Sequence, residues 1–368
     1  MILTSGSFEQ LVEFAGKFAS DDDPVTFSPN PNGMLSVFVK GEEGYGSIDL
    51  SIVSDPLPSR FTVSYESLPK IASEIEESWY VQVTPVSSAK FLTNGMEWWL
   101  NYREDHVEIP RVKQETVLHW DRSFSEILSR VSVACVEDSP NGCLDSVHIE
   151  KSERASSMVA TDGGLIIAHD NRWRLSEEED VDDLEDDPVS LLLRKRHVPI
   201  VNKVCEASMP VSIHIGISMV KIESGRRSAT LIRKGGRFPK WRNSVRDGSK
   251  GRVYGFAGVY KEDVDSAVTT AQMLSSTSVI NTHRDGVALN SSDDHGNEVE
   301  SVMNAEWGGS FGPVAINNEY LRKISVAWPE PDFKISYRGD GLPLEIGSVF
   351  FQSPMVAMMM PVEIKEEE

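Results

Sequence analysis

The fold is decided by residues 260–274, YKEDVDSAVTTAQML, because their pattern occurs three times along the chain. Their apolar residues recur at i, i+3, i+4 and i+7, the spacing that places side chains on one face of a helix. These residues are Val264, Ala267, Val268 and Ala271. Residues 8–18 and 124–135 have the same spacing. The sequence therefore predicts three amphipathic helices that begin three copies of an internal repeat.

A second helix is predicted in each copy, over residues 65–77, 195–207 and 317–328. Short strand-like runs flank each of these segments. Leu11 and Val264 occupy equivalent places in the first helices of the first and third copies, and Leu68 and Leu321 do so in the second helices. The separation along the sequence is 253 residues for both pairs. The first and third copies therefore keep register. The middle copy is longer because of a run of Glu and Asp at 176–187, which is too charged to pack and indicates a solvated loop.

Between the helices, apolar and polar residues alternate and the chain turns at Asn-Gly or Asp-Gly steps, which are signals of β-hairpins. The steps lie at 32–33, 94–95, 141–142, 285–286 and 340–341. Each third of the chain is thus an α+β unit of small-domain size. We place the domain boundaries near 111–117 and 246–251, which gives domains 1–115, 116–248 and 249–368.

Three segments resemble the bacterial sliding clamp, the β subunit of DNA polymerase III. They are MVATDG at 158–163, GRFPKWR at 236–242 and MMMPV at 358–362. The second is similar to the family's G-R-F-P-x-[YW]-R signature and the third to its terminal Met-Pro ending. The resemblance implies three repeated clamp-type domains, with helices inside and antiparallel sheets outside, that form half of a six-domain ring.

The resemblance also implies a function without enzymatic activity or cofactor. The expected protein is a processivity factor, a homodimeric ring that encircles double-stranded DNA without sequence preference. Its expected partners are a replicative DNA polymerase and a clamp loader, and its expected location is the cytoplasm, with the nucleoid.

Composition restricts where DNA could bind. The net charge is −21, so an outer surface that coats nucleic acid is excluded and any DNA contact needs a local basic region. Eight basic residues on or next to the predicted helices are candidates for facing DNA, and for each of them an ordinary solvated charge is an equal alternative: Lys70, Arg130, Arg194, Lys195, Arg196, Lys203, Arg322 and Lys323. For the cluster at 194–196, DNA contact is the favoured interpretation. Three cysteines without a C-x-x-C pair suggest neither a disulfide framework nor a zinc site, and no membrane span or signal peptide is expected.

The resemblance assigns two further sets of residues. The dimer interface is expected at Trp99, Met273 and Leu274, for which a place in the core is an equal alternative. A pocket for short partner peptides is expected at Thr161, Gly163, Leu165, Ile166, Pro239, Met358, Met360, Pro361 and Val362. Methionines suit such a pocket because their flexible side chains repack around different ligands. A run of methionines more often fills a core, and only its place in the terminal motif favours binding.

Two other interpretations account for parts of the sequence. An enzyme could use the acidic patches at 21–23 and 177–187, but no partnered His, Lys or phosphate-binding loop accompanies them. A specialised clamp paralogue of a phage or plasmid, with dedicated partners, is suggested by departures from the family pattern. Gly164 and Leu165 stand where the family has His-Arg, and Asn243 and Ser244 stand where a basic and an apolar residue are typical.

Overall fold

The computed structural model describes the chain except for residues 54–56, 58, 76–79, 86–87, 94–95, 138, 140–141, 153–154, 172–187, 207, 350–352 and 363–368. The acidic run at 176–187 and the Asn-Gly step at 94–95 therefore lie outside the described residues, as does the first residue of the step at 141–142. The acidic patch at 177–187 lies there too, so the structure says nothing of it.

Seven α-helices occur in the described part of the chain. They are α1 (Ser5–Ala15), α2 (Ser67–Ser73), α3 (Phe124–Ser132), α4 (Val198–Val204), α5 (Trp241–Gly248), α6 (Lys261–Gln272) and α7 (Asn318–Ala327), and a 3-10 turn, Lys195–His197, precedes α4. Six of them confirm the predicted helical segments. The spacing in α6 is confirmed in detail, since Val264, Ala267, Val268 and Ala271 are all buried. The seventh helix, α5, was not predicted.

The strands are short and every observed pairing between them is antiparallel. They are β1 (Ile2–Thr4), β2 (Pro24–Pro29), β3 (Leu35–Gly41), β4 (Gly44–Leu50), β5 (Phe61–Ser64), β6 (Tyr80–Pro85), β7 (Ala89–Thr93), β8 (Met96–Leu100), β9 (Gln114–Trp120), β10 (Ser146–Lys151), β11 (Ser156–Thr161), β12 (Leu165–Asp170), β13 (Val189–Arg194), β14 (Val211–Gly216), β15 (Met219–Ser224), β16 (Arg227–Ile232), β17 (Gly255–Tyr260), β18 (Thr277–His283), β19 (Gly286–Ser292), β20 (Glu298–Met303), β21 (Ala305–Gly309), β22 (Val314–Asn317), β23 (Asp332–Tyr337), β24 (Leu344–Gly347) and β25 (Met355–Met359).

The chain forms two compact units. The first comprises residues 1–125 and 196–234. Its larger sheet has the order β5-β2-β3-β4-β16-β15-β14-β9, and its smaller sheet has the order β1-β6-β7-β8. Thr4 begins α1 by accepting a hydrogen bond from the Ser7 amide at 3.1 Å. The buried face of α1 includes Phe8, which contacts Phe91 on β7 of the smaller sheet. The centres of the two rings are 6.0 Å apart.

The second unit comprises residues 126–195 and 235–368. Its larger sheet has the order β13-β10-β11-β12-β25-β24-β23-β17-β21, and its smaller sheet has the order β20-β19-β18-β22. The middle third of the chain therefore contributes strands to both large sheets, through the pairs β4–β16 and β12–β25. The α+β fold is confirmed. The three domain boundaries stay a prediction.

Candidate functional site

The turn between β11 and β12 is fixed by its own side chains. The amides of Gly164 and Leu165 donate to Asp162 Oδ1 at 3.0 and 2.9 Å, and the Gly163 amide donates to Thr161 Oγ1 at 3.0 Å. Gly163 has φ +100°, a backbone conformation that residues with a Cβ rarely adopt. The segment at 158–163 is therefore a strand that ends in a tight turn.

Two of the predicted pocket residues meet on one face of the large sheet. Ile166 of β12 lies directly opposite Met358 of β25. Both belong to an apolar cluster whose other members are Val159, Ala168, Phe238, Trp241, Val245 and Val356. Because alternate residues of a strand face opposite sides, Leu165 points away from this cluster, where it is fully buried.

Helix α5 lies on this face of the sheet. Trp241, Val245 and Gly248 are its buried residues, at i, i+4 and i+7. A Cβ on Gly248 would lie only 2.5 Å from Met358 Cε, so a residue larger than glycine would press on this methionine. Sequence reasoning missed α5 because its other residues are mostly charged or polar, although the spacing of its buried residues was visible.

Arg242 connects α5 to the large sheet through contacts with β10, β11 and β12. Its Nε donates to Asp170 Oδ2 at 3.1 Å, one terminal nitrogen donates to Ser157 Oγ at 2.9 Å, and the other lies 2.6 Å from Glu150 Oε2. Both carboxylates are largely buried, with Asp170 3% and Glu150 15% exposed. The segment at 236–242 thus supplies the buried Trp241 and also Arg242, whose positive charge neutralises the two carboxylates on the sheet.

His148 supports the loop that leads into α5. Its ring stacks on Phe238, with the centroids 4.9 Å apart and an angle of 13° between the planes. Burial lowers the pKa of His148; the nearby Glu150 opposes this shift and Arg242 adds to it. The imidazole is therefore favoured in its neutral form.

The border of the site comes from residues 360–362 and from Tyr320 of α7, which is half-buried. The Met360 amide donates to the Gly164 carbonyl at 2.8 Å, which places the terminal segment beside the β11–β12 turn. Met360 is 43% exposed, and Pro239 is exposed as well. A Cβ on Gly164 would lie 2.6 Å from Tyr320 Oη, so this hydroxyl occupies the space of a side chain there.

We call this region the α5 site and define it by Ile166, Pro239, Tyr320, Met358 and Met360. Thr161 is buried opposite Ile166 on β11, while Gly163 is exposed in the turn. Pro361 and Val362 are half-buried, and the Val362 amide donates to the Ala315 carbonyl at 2.9 Å. The structure therefore brings the three resemblance segments together. Phe238, Trp241 and Tyr320 were missed by the sequence prediction.

Seven of the eight cations expected to face DNA lie beside a carboxylate. The pairs are Lys70–Glu66 at 2.7 Å, Arg130–Glu126 at 2.6 Å, Lys195–Glu137 at 3.3 Å, Arg196–Glu43 at 2.9 Å, Arg322–Glu319 at 2.5 Å, Lys323–Asp162 at 3.4 Å, and Lys203–Glu13. The eighth, Arg194, ends β13, and its Nε is buried with no hydrogen-bond partner among the described residues. The expected DNA surface is thus largely charge-paired.

Two of the three residues expected at a dimer interface are on the surface. Trp99 is 55% exposed on β8, and Met273, just after α6, is 78% exposed. Leu274 is half-buried. The side chains of Trp99 and Met273 therefore do not belong to a core.

Neither a metal cluster nor a membrane-spanning helix occurs among the described residues. No group of three or more His, Cys, Asp or Glu side chains there could hold a metal ion. No helix in the same part of the chain is long and apolar enough to cross a membrane.

Comparison with known proteins relates this fold to one class. No protein-family model and no curated protein sequence matches the chain. Solved structures match over its whole length. The DNA polymerase III β sliding clamp of Pseudomonas aeruginosa bound to griselimycin gives a TM-score of 0.85 at 13% identity, with 99% of each chain covered.

Other β subunits match similarly. That of Thermotoga maritima gives a TM-score of 0.80 at 14% identity, and that of Streptococcus pyogenes gives 0.83 at 12%, both with 99% of each chain covered. The chain therefore has the fold of the DNA polymerase III β sliding clamps. Its low sequence identity to them fits a divergent example of that fold.

Proposed function

We propose that the protein is a DNA sliding clamp, a processivity factor that encircles duplex DNA and tethers a DNA polymerase, with a clamp loader as a second partner. The observation that carries this proposal is the fold, which matches solved β clamps over 99% of the chain. The role is mechanical, so the proposal includes no catalytic residue.

The α5 site is the proposed docking point for partner peptides. Its exposed Met360 and Pro239 and its half-buried Tyr320 surround an apolar floor, which suits a short segment with one or two apolar anchors. Met360 supports this role because a flexible thioether adapts to anchors of different shape.

A head-to-tail dimer is the proposed ring. Strands β8 and β20 each lie at the end of a four-stranded sheet, and an edge strand has backbone groups free to pair with another chain. We propose that β8 of one protomer meets β20 of its partner, with Trp99 and Met273 close to the joint. The exposure of these two apolar side chains supports the proposal.

Within the ring, DNA would be held by weak contacts. Exposed ion pairs such as Lys70–Glu66, whose side chains are 60% and 51% exposed, contribute about 0–1 kcal/mol each. A phosphate can therefore replace the carboxylate at little cost. The paired carboxylates lower the net attraction for DNA, which favours sliding over tight binding.

The test compares how long the protein stays bound to circular DNA and to linear DNA. Protein loaded on nicked circular DNA by a clamp loader should remain bound through gel filtration and should be lost after the circle is cut once. Equal retention on circular and linear DNA would contradict encirclement. Omitting the loader is the control for simple binding.

A specialised clamp with dedicated partners is the second candidate. The observation that favours it is Gly164, where the Cβ of a larger residue would have to displace the Tyr320 hydroxyl. Ser244 and Asn243 are also exposed polar residues on α5. Stimulation of a host replicative polymerase on primed circular DNA, with the host loader, distinguishes the two: a dedicated clamp gives none.

A further inference from the structure

The face of the large sheet that carries the α5 site continues beyond it to a patch of exposed aromatic residues. Directly paired residues point to the same face. From Met358 the pairing leads to Glu345 on β24, then to Ser336 on β23 and Phe256 on β17. The α5 site and Phe256 thus share one surface, three strand spacings or about 14 Å apart.

The aromatic patch consists of Tyr254 and Phe256, which are 53% and 42% exposed. Each lies near a cation. The Arg252 guanidinium is 6.0 Å from the Tyr254 ring centre, and the Lys334 ammonium is 6.0 Å from that of Phe256. Exposed aromatic side chains beside cations are typical of a surface that binds a partner with apolar and acidic groups.

The segment that connects the two regions is strongly basic. Residues 235–252 carry six cations, Arg237, Lys240, Arg242, Arg246, Lys250 and Arg252, against the single acid Asp247. The segment therefore has a net charge of +5 in a chain whose net charge is −21. All of these cations except Arg242 are exposed. A local positive region in a negative protein attracts acidic ligands.

We infer that the partner segment is longer than the α5 site and acidic, an inference that rests on the proposed peptide-docking function. Its apolar anchor occupies the α5 site. The following four to six residues, extended at about 3.4 Å each, cross β24 and β23 and place an aromatic or apolar side chain with neighbouring Asp or Glu on the aromatic patch. The occupant is thus an acidic, aromatic-bearing peptide of another protein.

The test begins with random 16-residue peptides displayed on phage and selected on the full-length protein. Enriched sequences are then synthesised and titrated by fluorescence anisotropy. We expect an apolar anchor followed within about six residues by acidic and aromatic residues. Removing the part after the anchor should weaken binding about tenfold, and raising the salt concentration should reduce that advantage.

Two variants locate the contact. The double variant Tyr254→Ser/Phe256→Ser should bind the long peptide only as well as the truncated one. Tyr260→Ser is the matched control, because Tyr260 is an aromatic residue on the same strand and face, 55% exposed, but four residues farther along; its affinity should not change.

The other outcomes distinguish failure of the extended contact from failure of the peptide-docking function itself. Enriched peptides that bind the double variant with unchanged affinity overturn the extended contact and leave the α5 site in place. No enrichment, or equal binding to a protein lacking residues 360–362, overturns the docking function itself. If the double variant loses affinity for duplex DNA instead of peptide, the patch is a nucleic-acid surface and the inference is wrong.

Discussion

Replacing Arg242 by Gln tests whether one ion network holds α5 on the sheet. The substitution removes the cation that faces Asp170 and Glu150, which are 3% and 15% exposed. Removing one partner of a buried pair costs about 3–5 kcal/mol, because the remaining charge stays buried. Arg242 is itself 27% exposed, so water can reach the site, and we expect a loss near the lower end, about 3 kcal/mol.

The measurement is urea unfolding of the full chain, combined with hydrogen exchange of the α5 amides. Arg242→Gln should lower the free energy of unfolding of the second unit and speed exchange in α5. Arg246→Gln is the control on the same helix, since exposed Arg246 donates to Asn243 at 3.2 Å. Adding Asp170→Asn to Arg242→Gln should restore part of the stability, because a neutral amide needs no cation. A loss below about 1 kcal/mol with unchanged α5 exchange would refute the reasoning.

Three further outcomes are expected. Met273→Ala with Leu274→Ala should shift the dimer toward monomer in sedimentation equilibrium, and an unchanged dimer rejects this interface. Deleting residues 360–362 should weaken partner-peptide binding about thirtyfold, equivalent to about 2 kcal/mol for a lost central anchor, while the dimer persists; unchanged affinity places the binding site elsewhere. The lowered pKa of His148 means that the unfolded chain binds a proton more readily than the folded one, so stability should be full above the ordinary His pKa of about 6.5 and fall as the pH drops below it. His148→Phe should flatten this dependence in thermal melts between pH 5 and 8, and an identical slope contradicts the assignment.

Local sequence patterns predict six of the seven helices in the described residues, together with several hairpin turns. Helical periodicity is local, so the buried positions of α6 could be read directly from residues 264–271. Turn chemistry is local as well: Gly33 and Gly341, in the predicted Asn-Gly and Asp-Gly steps, have φ of +74° and +73°. The convergence of the segments at 158–163, 236–242 and 358–362 came from resemblance to a family, because no local signal links residues so far apart.

The architecture of the α5 site depends on contacts between residues that are far apart in the sequence. Helix α5 has only three buried residues among charged or polar ones, so its local pattern is weak. Its contact with the sheet depends on Arg242, which pairs with Glu150 of β10 and Asp170 of β12, more than 70 residues earlier in the sequence. The packing of Tyr320 against Gly164 joins residues that lie still farther apart in the sequence. Strand register placed Met358 and Phe256 on one face, and a shift of one residue would have separated them. Local patterns specify which elements form, whereas long-range pairing specifies which side chains meet.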